Sequence, residues 1–132
     1  MSPRVLHVVP SFYPATRYGG PIFTVLRLCQ ALGRAGVEVD VLTTDADGPE
    51  ALDVPTGQFV EVEGVRVRYC RRDLPFDYAS STELMSFLRA RVRDYDLVHV
   101  TSTFSHPSHV AGERARTAGV PFLVSPRGSL QP

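Results

Sequence analysis

The chain has 132 residues, 43% of them hydrophobic, with 14 basic and 14 acidic side chains and a formal net charge of zero. That length suits one domain with a real core, and the charge balance provides no electrostatic footprint for nucleic acid, so no nucleic-acid partner is expected. No apolar run approaches the ~20 residues of a membrane span, the N-terminus lacks a signal-peptide profile, and Cys29 and Cys70 read as buried free thiols, so a cytoplasmic location is expected.

Val5, Leu6, Val8 and Val9 form a short apolar run, as expected of a strand covered on both faces. Pro10 and Pro14 end it and keep the next segment irregular. After Gly19-Gly20, Pro21 sits at a first helical position, where its missing N–H costs nothing. Ile22, Val25, Leu26, Cys29 and Leu32 then recur at helical spacing, and Gly36 reads as a left-handed cap. Val37–Thr44 is a second strand, favouring a parallel crossover. Asp45–Gln58 reads as a loop without period.

Phe59–Tyr69 alternates about Glu63-Gly64, which indicates a hairpin or a strand with a tight turn, with Val60, Val62, Val65 and Val67 facing inward. Arg66, Arg68, Arg71 and Arg72 make a basic patch, read most simply as a solvated edge that resists pairing. Ser80 and Glu83 have capping-box spacing. The helix after them buries Leu84, Phe87, Leu88, Val92 and Tyr95 and exposes Arg89, Arg91 and Arg93. Such a basic face admits peripheral contact with an anionic membrane, although a solvated surface is the simpler reading. Asp96–Ser102 is the next strand, with His99 near its carboxyl end. Pro107 starts a helix whose small face is Val110, Ala111, Ala115 and Ala118, capped by Gly119, and Val120–Val124 is the last strand. The expected fold is one α/β domain of three layers, Rossmann-like, on a mostly parallel sheet.

Gly19-Gly20 carries the first chemical signal. A glycine pair at a helix start lets a ligand approach the backbone, and the helix N-terminus favours a phosphate; the plainer alternative is a tight turn. Arg127-Gly128 follows the last strand, and Arg clamps phosphate or carboxylate, unless it merely pairs with a structural group. His106 and His109 lack further ligands at metal spacing, so no metal is expected. There is no G-x-S-x-G elbow and no P-loop motif. Asp45 after the second strand imitates a dinucleotide-binding outline, but the first loop is too long and lacks G-x-G-x-x-G.

Three segments together resemble the N-terminal domain of retaining glycosyltransferases of family 4, in the GT-B group: PSFYPATRYGGPIFTVLRLCQALGRAGVEVDVLTTD, DLVHVTS and GVPFLVSPRGSL. They span nearly the whole chain in the family's order. The last is similar to the S-P-R-G form of transferases that build exopolysaccharide and lipopolysaccharide. Val37 stands where the family usually has a histidine.

The resemblance implies two Rossmann-like domains across a cleft. The C-terminal one, with an E-x7-E motif, holds most of the nucleotide-sugar, and the N-terminal one holds the acceptor. It places Gly19 and Gly20 against the donor diphosphate, and Tyr18, His99, Thr101 and Phe104 on the acceptor side. Arg127 is the candidate catalytic residue. It stands where many members have a histidine and would add positive charge at the donor phosphate or bind acceptor, rather than act as a base. Thr101 also replaces a frequent histidine.

No E-x7-E half occurs in residues 1–132, so the chain is expected to be the N-terminal, acceptor-side domain alone and inactive by itself. The whole protein is expected to move a sugar from a nucleotide-sugar to a glycan or lipid-linked acceptor with retention, without cofactor or metal, in the cytoplasm or peripherally at the membrane's inner face. The alternatives are a non-catalytic Rossmann-type ligand-binding or interaction module and a nicotinamide-dependent oxidoreductase using Asp45.

Overall fold

The computed structural model describes residues 2–73, 80–101 and 106–125. Strand β1 (Arg4–Val8) is followed by a 3₁₀ turn (Thr16–Tyr18) and helix α1 (Gly20–Arg34). Next come β2 (Glu38–Thr44), the short pair β3 (Ala46–Asp47) and β4 (Glu50–Ala51), then β5 (Phe59–Val62) and β6 (Val65–Cys70). Helix α2 (Thr82–Arg91), β7 (Leu97–Thr101), α3 (His106–Ala118) and β8 (Phe122–Ser125) complete the order.

The main sheet runs β5-β6-β2-β1-β7-β8. Every pairing in it is parallel except the β5–β6 hairpin. Alternation along each strand sends side chains to two faces. On one face Val9, Val41, Val65, Val67 and Tyr69 pack with Val25, Leu26 and Cys29 of α1. On the other, Leu6, Val8, Leu42, Val98 and Val100 pack with Leu84, Phe87 and Leu88 of α2 and with Val110, Ala111 and Ala115 of α3. This is the expected three-layer α/β arrangement, a Rossmann-like sheet covered on both sides.

The Glu63-Gly64 hairpin forms with both residues at positive φ, 50° and 79°, the twist that suits a two-residue turn. Gly36 and Gly119 take positive φ just beyond α1 and α3, 92° and 72°, as expected of helix ends.

Several expectations need correction. Asp45–Gln58 is not wholly irregular: β3 and β4 pair antiparallel across Gly48. Arginines hold this small hairpin. Arg17 reaches Glu50 at 3.1 Å and Asp47 at 3.6 Å, and Arg72 donates to the carbonyls of Gly48 and Glu50 at 3.0 and 3.2 Å. The arginine-bearing strand β6 is also no edge, since it lies between β5 and β2. Arg66 instead pairs with the largely buried Asp40 at 3.2 Å and lies 4.1 Å over the Phe59 ring.

The α2 cap is Ser81, not Ser80: its Oγ accepts from Leu84 N at 3.1 Å. Glu83 is then one residue too early for a capping box, and its carboxylate accepts from Arg71 N at 2.6 Å. Finally, β8 begins at Phe122. Val120 N donates to Ala115 O to close α3, and Pro121 has no N–H for the ladder.

Candidate functional site

Adjacent parallel strands β1 and β7 feed helices on opposite faces of the sheet. β1 leads to α1, whose residues join one core, while β7 leads to α3, whose residues join the other. The order of the sheet thus reverses between β1 and β7, and the region outside the carboxyl ends of two such strands, the candidate crevice, is where open α/β sheets bind ligands.

The β1 loop is firmly seated. Phe12 is fully buried, as is Ala15. Thr44 Oγ1 donates to Pro10 O at 2.7 Å, and the Tyr69 hydroxyl donates to the Tyr13 carbonyl. The 3₁₀ turn follows, braced by Arg17 on the β3–β4 hairpin, and delivers Tyr18 directly before the glycine pair.

Gly19 has φ 75° and ψ −141°, a conformation that only glycine adopts without strain. Its N–H donates to Thr16 O at 3.1 Å, and its carbonyl accepts from Ile22 N. The expectation that both glycine N–H groups face a ligand is thus narrowed: the Gly19 N–H is given to the turn, and the Gly20 N–H opens helix α1. A Cβ added at either glycine would meet nothing within 4 Å, so the backbone here faces open space.

Near the carboxyl ends of these two strands stand two imidazoles. His7 of β1 and His99 of β7 are register partners. Their rings stack at 4.2 Å between centroids with 22° between planes. His7 Nε2 lies 2.7 Å from Thr101 Oγ1, and its Nδ1 lies 3.6 Å from Cys29 Sγ of α1. His99 Nε2 lies 2.7 Å from Ser125 Oγ at the end of β8. His7 is fully buried, while His99 and Thr101 keep 8% and 5% exposure, so the cluster reaches the surface only at its carboxyl end. Burial pushes the Cys29 thiol up to about 12, so it stays protonated at neutral pH.

Of the site residues expected from the sequence, His99 and Thr101 come together through His7. Gly19 and Gly20 lie at the start of α1, in the segment that follows β1. Arg127 and Phe104 lie outside the described residues. His7 and Ser125 are site residues that the sequence reading does not single out, and Cys29 is expected there only as core. The signal for His7 is a single polar residue inside the apolar run Val5–Val9; buried polar side chains need partners.

Other candidates fall away from this crevice. Asp45 is a bracket: its Oδ1 accepts from Arg72 N at 2.9 Å, so the acidic residue of the dinucleotide outline is committed to the backbone. Among the described residues no three His, Cys, Asp or Glu side chains gather as a metal site. A groove of about 580 Å³ lies instead between β6 and α2, lined by Arg68, Glu83, Phe87 and Arg91. Its arginines sit 5.1 and 5.7 Å over the Phe87 ring, and Arg91 is paired with Asp94 at 2.6 Å. It reads as arginine stems covering an aromatic ring. Among the described residues no helix is long and apolar enough to cross a membrane.

The family described as "Glycosyl transferase 4-like domain" matches residues 19–132. A protein named glycogen synthase from Thermus thermophilus is 37% identical, the match covering 73% of this chain and 27% of that protein. The chain thus spans about a quarter of the length of that relative. No solved structure matches.

Proposed function

Because the chain belongs to the glycosyl transferase 4-like domain family, we propose that it is the acceptor-binding N-terminal domain of a glycosyltransferase that moves a sugar from a nucleotide-sugar to a glycan or lipid-linked acceptor with retention. A second domain would hold most of the donor. The observation that carries this reading is that an open glycine helix start follows β1 while a polar cluster of His99 and Thr101 stands at the carboxyl end of the neighbouring strand β7.

The chemistry follows from that arrangement. An acceptor hydroxyl replaces the nucleoside diphosphate at the anomeric carbon, so negative charge gathers on the leaving diphosphate. The Gly20 N–H and the positive end of α1 stabilise that charge without reorganising. Gly19, held at positive φ, keeps side-chain bulk off the approach. Arg127 adds charge at the same diphosphate and is no base. Tyr18, His99, Thr101 and Phe104 line the acceptor side, where orienting the hydroxyl supplies much of the rate gain. No step calls for a metal. The exopolysaccharide or lipopolysaccharide class follows from the S-P-R-G segment, and work on the cytoplasmic face of the membrane suits such an acceptor.

The test is an assay of the full reading frame with labelled nucleotide-sugars, with the anomeric configuration of the product read by NMR. Transfer with retention is expected, and this chain alone should turn over no donor. Inversion, or robust transfer by residues 1–132 alone, contradicts the proposal. Binding without any transfer by the full protein would instead favour a non-catalytic ligand-binding module.

A further inference from the structure

The buried part of the cluster has no role in the chemistry above, yet it touches two neighbouring elements, α1 and β7. His7 meets Cys29 of α1, Thr101 at the end of β7, and the ring of His99. A fully buried imidazole inside an apolar strand is costly unless its nitrogens are matched. The groups facing those nitrogens are chemically unequal. A hydroxyl oxygen is a good acceptor, whereas a thiol sulfur is a poor one and a weak donor. The stronger N–H therefore goes to Thr101 Oγ1, and the thiol proton goes to the unprotonated Nδ1. The raised thiol pKa supports the same assignment, because a protonated Cys29 can donate.

We propose that His7 is a positioning residue: a neutral imidazole, with its proton on Nε2 because Cys29 donates to Nδ1, which turns the Thr101 hydroxyl so that its own proton is offered to an acceptor-sugar oxygen and which supports the His99 ring from below. This rests on reading the crevice as the acceptor site. In the opposite arrangement Thr101 would spend its proton on His7 and have none for a ligand. The orientation of the ligand-facing hydroxyl is thus decided two groups away, in helix α1. His99, stacked on His7 and bonded to Ser125, is held by the same set.

The experiment uses the chain labelled with ¹⁵N-histidine. The ring nitrogens of His7 should report a neutral Nε2–H tautomer at neutral pH, and Cys29→Ala should loosen it to a mixture. Maltotriose, a short glucan chosen because the glycogen synthase relative suggests one, is then titrated while Thr101 is followed. His7→Leu, which removes the donor, should weaken binding about tenfold, the worth of one hydrogen bond. His7→Gln, whose amide N–H can reach the Nε2 position, should restore most of it. An Nδ1–H or cationic His7 in the wild type overturns the proposal whatever binds. Equal losses for Leu and Gln overturn it too, because a purely structural role would not distinguish them. The expected tautomer with no perturbation of Thr101 by maltotriose contradicts the acceptor-site reading of the crevice instead, and with it the ligand-facing role. Should His7→Leu fail to fold, the wild-type tautomer and the His7→Gln titration still decide.

Discussion

The two flanks of β1 are built from the same parallel ladder but filled with opposite chemistry. Toward β2 and β6, the α1 face carries Val41, Val65, Val67 and Tyr69, a continuous apolar floor. Toward β7 and β8, the same face carries His99, Thr101 and Ser125, with Leu123 52% exposed. Burial and dispersion hold the first flank. The second places polar groups in a sheet, where each needs a partner, and thereby gives up stability that a valine would supply. On the reading proposed above, this local break in the sheet's apolar pattern is a site rather than a core. The difference teaches that stability and ligand chemistry are divided along β1, and they should respond separately to mutation.

The largest expected effect lies on the apolar side of β1, in the core on the opposite face of the sheet from α1. Leu42 is fully buried in β2, so Leu42→Ala should lower unfolding free energy by about 2–5 kcal/mol in urea melts, leaving the His7 tautomer unchanged. A change of tautomer in that variant would break the separation.

Next comes a pH effect on the same flank. The Cys70 thiol is pushed up to about 12, first by burial and then by Glu83 and Asp45, against an ordinary value of 9.0. A folded-state value above the unfolded one means the stability is whole below pH 9 and is lost as pH rises toward 12. Urea melts across that window should show a steeper fall for wild type than for Cys70→Ala, by roughly 1–3 kcal/mol. Parallel curves would show that the thiol is not buried as described.

The glycine pair sharpens the comparison on the ligand side. Gly19→Ala forces a side chain into a conformation reserved for glycine and should cost about 1–3 kcal/mol. Gly20 has no positive φ and meets open space, so Gly20→Ala should change stability by under about 1 kcal/mol while weakening nucleotide-sugar binding. Equal binding by Gly20→Ala and wild type, measured by calorimetry, would remove the glycine start from the site. Smallest is Arg17→Ala. Its ion pairs are at least half exposed on the arginine side, so the stability loss should stay under about 1 kcal/mol. Faster proteolysis within residues 46–51 is the more sensitive readout.

Much of this fold is legible in the residues because its pattern is local. The β-branched runs, the helical stripes from Ile22 and Leu84, and the turn at Glu63-Gly64 each announce an element through periodicity or glycine. What stays hidden depends on contacts far apart in the chain. Nothing near Asp45 reveals that Arg17 and Arg72 shape the next residues into a hairpin. The Ser81 cap cannot be separated from Ser80 by sequence because two serines stand side by side, and the choice is made by Glu83 reaching Arg71 N. Within the proposed site, Gly19-Gly20 and His99 are readable from glycine chemistry and from position at a strand end. His7 is not, because its meaning lies in Cys29, 22 residues on, and in Thr101, 94 residues on.

The most direct test of the central claim, that the crevice between β1 and β7 is the ligand site, is a backbone NMR titration of the chain with a uridine diphosphate sugar. The account predicts shifts concentrated at Gly19, Gly20 and Ile22, extending to His99 and Thr101. Shifts concentrated at Asp45 and Arg72, or at Arg68, Phe87 and Arg91, with the glycine pair unmoved, would contradict it.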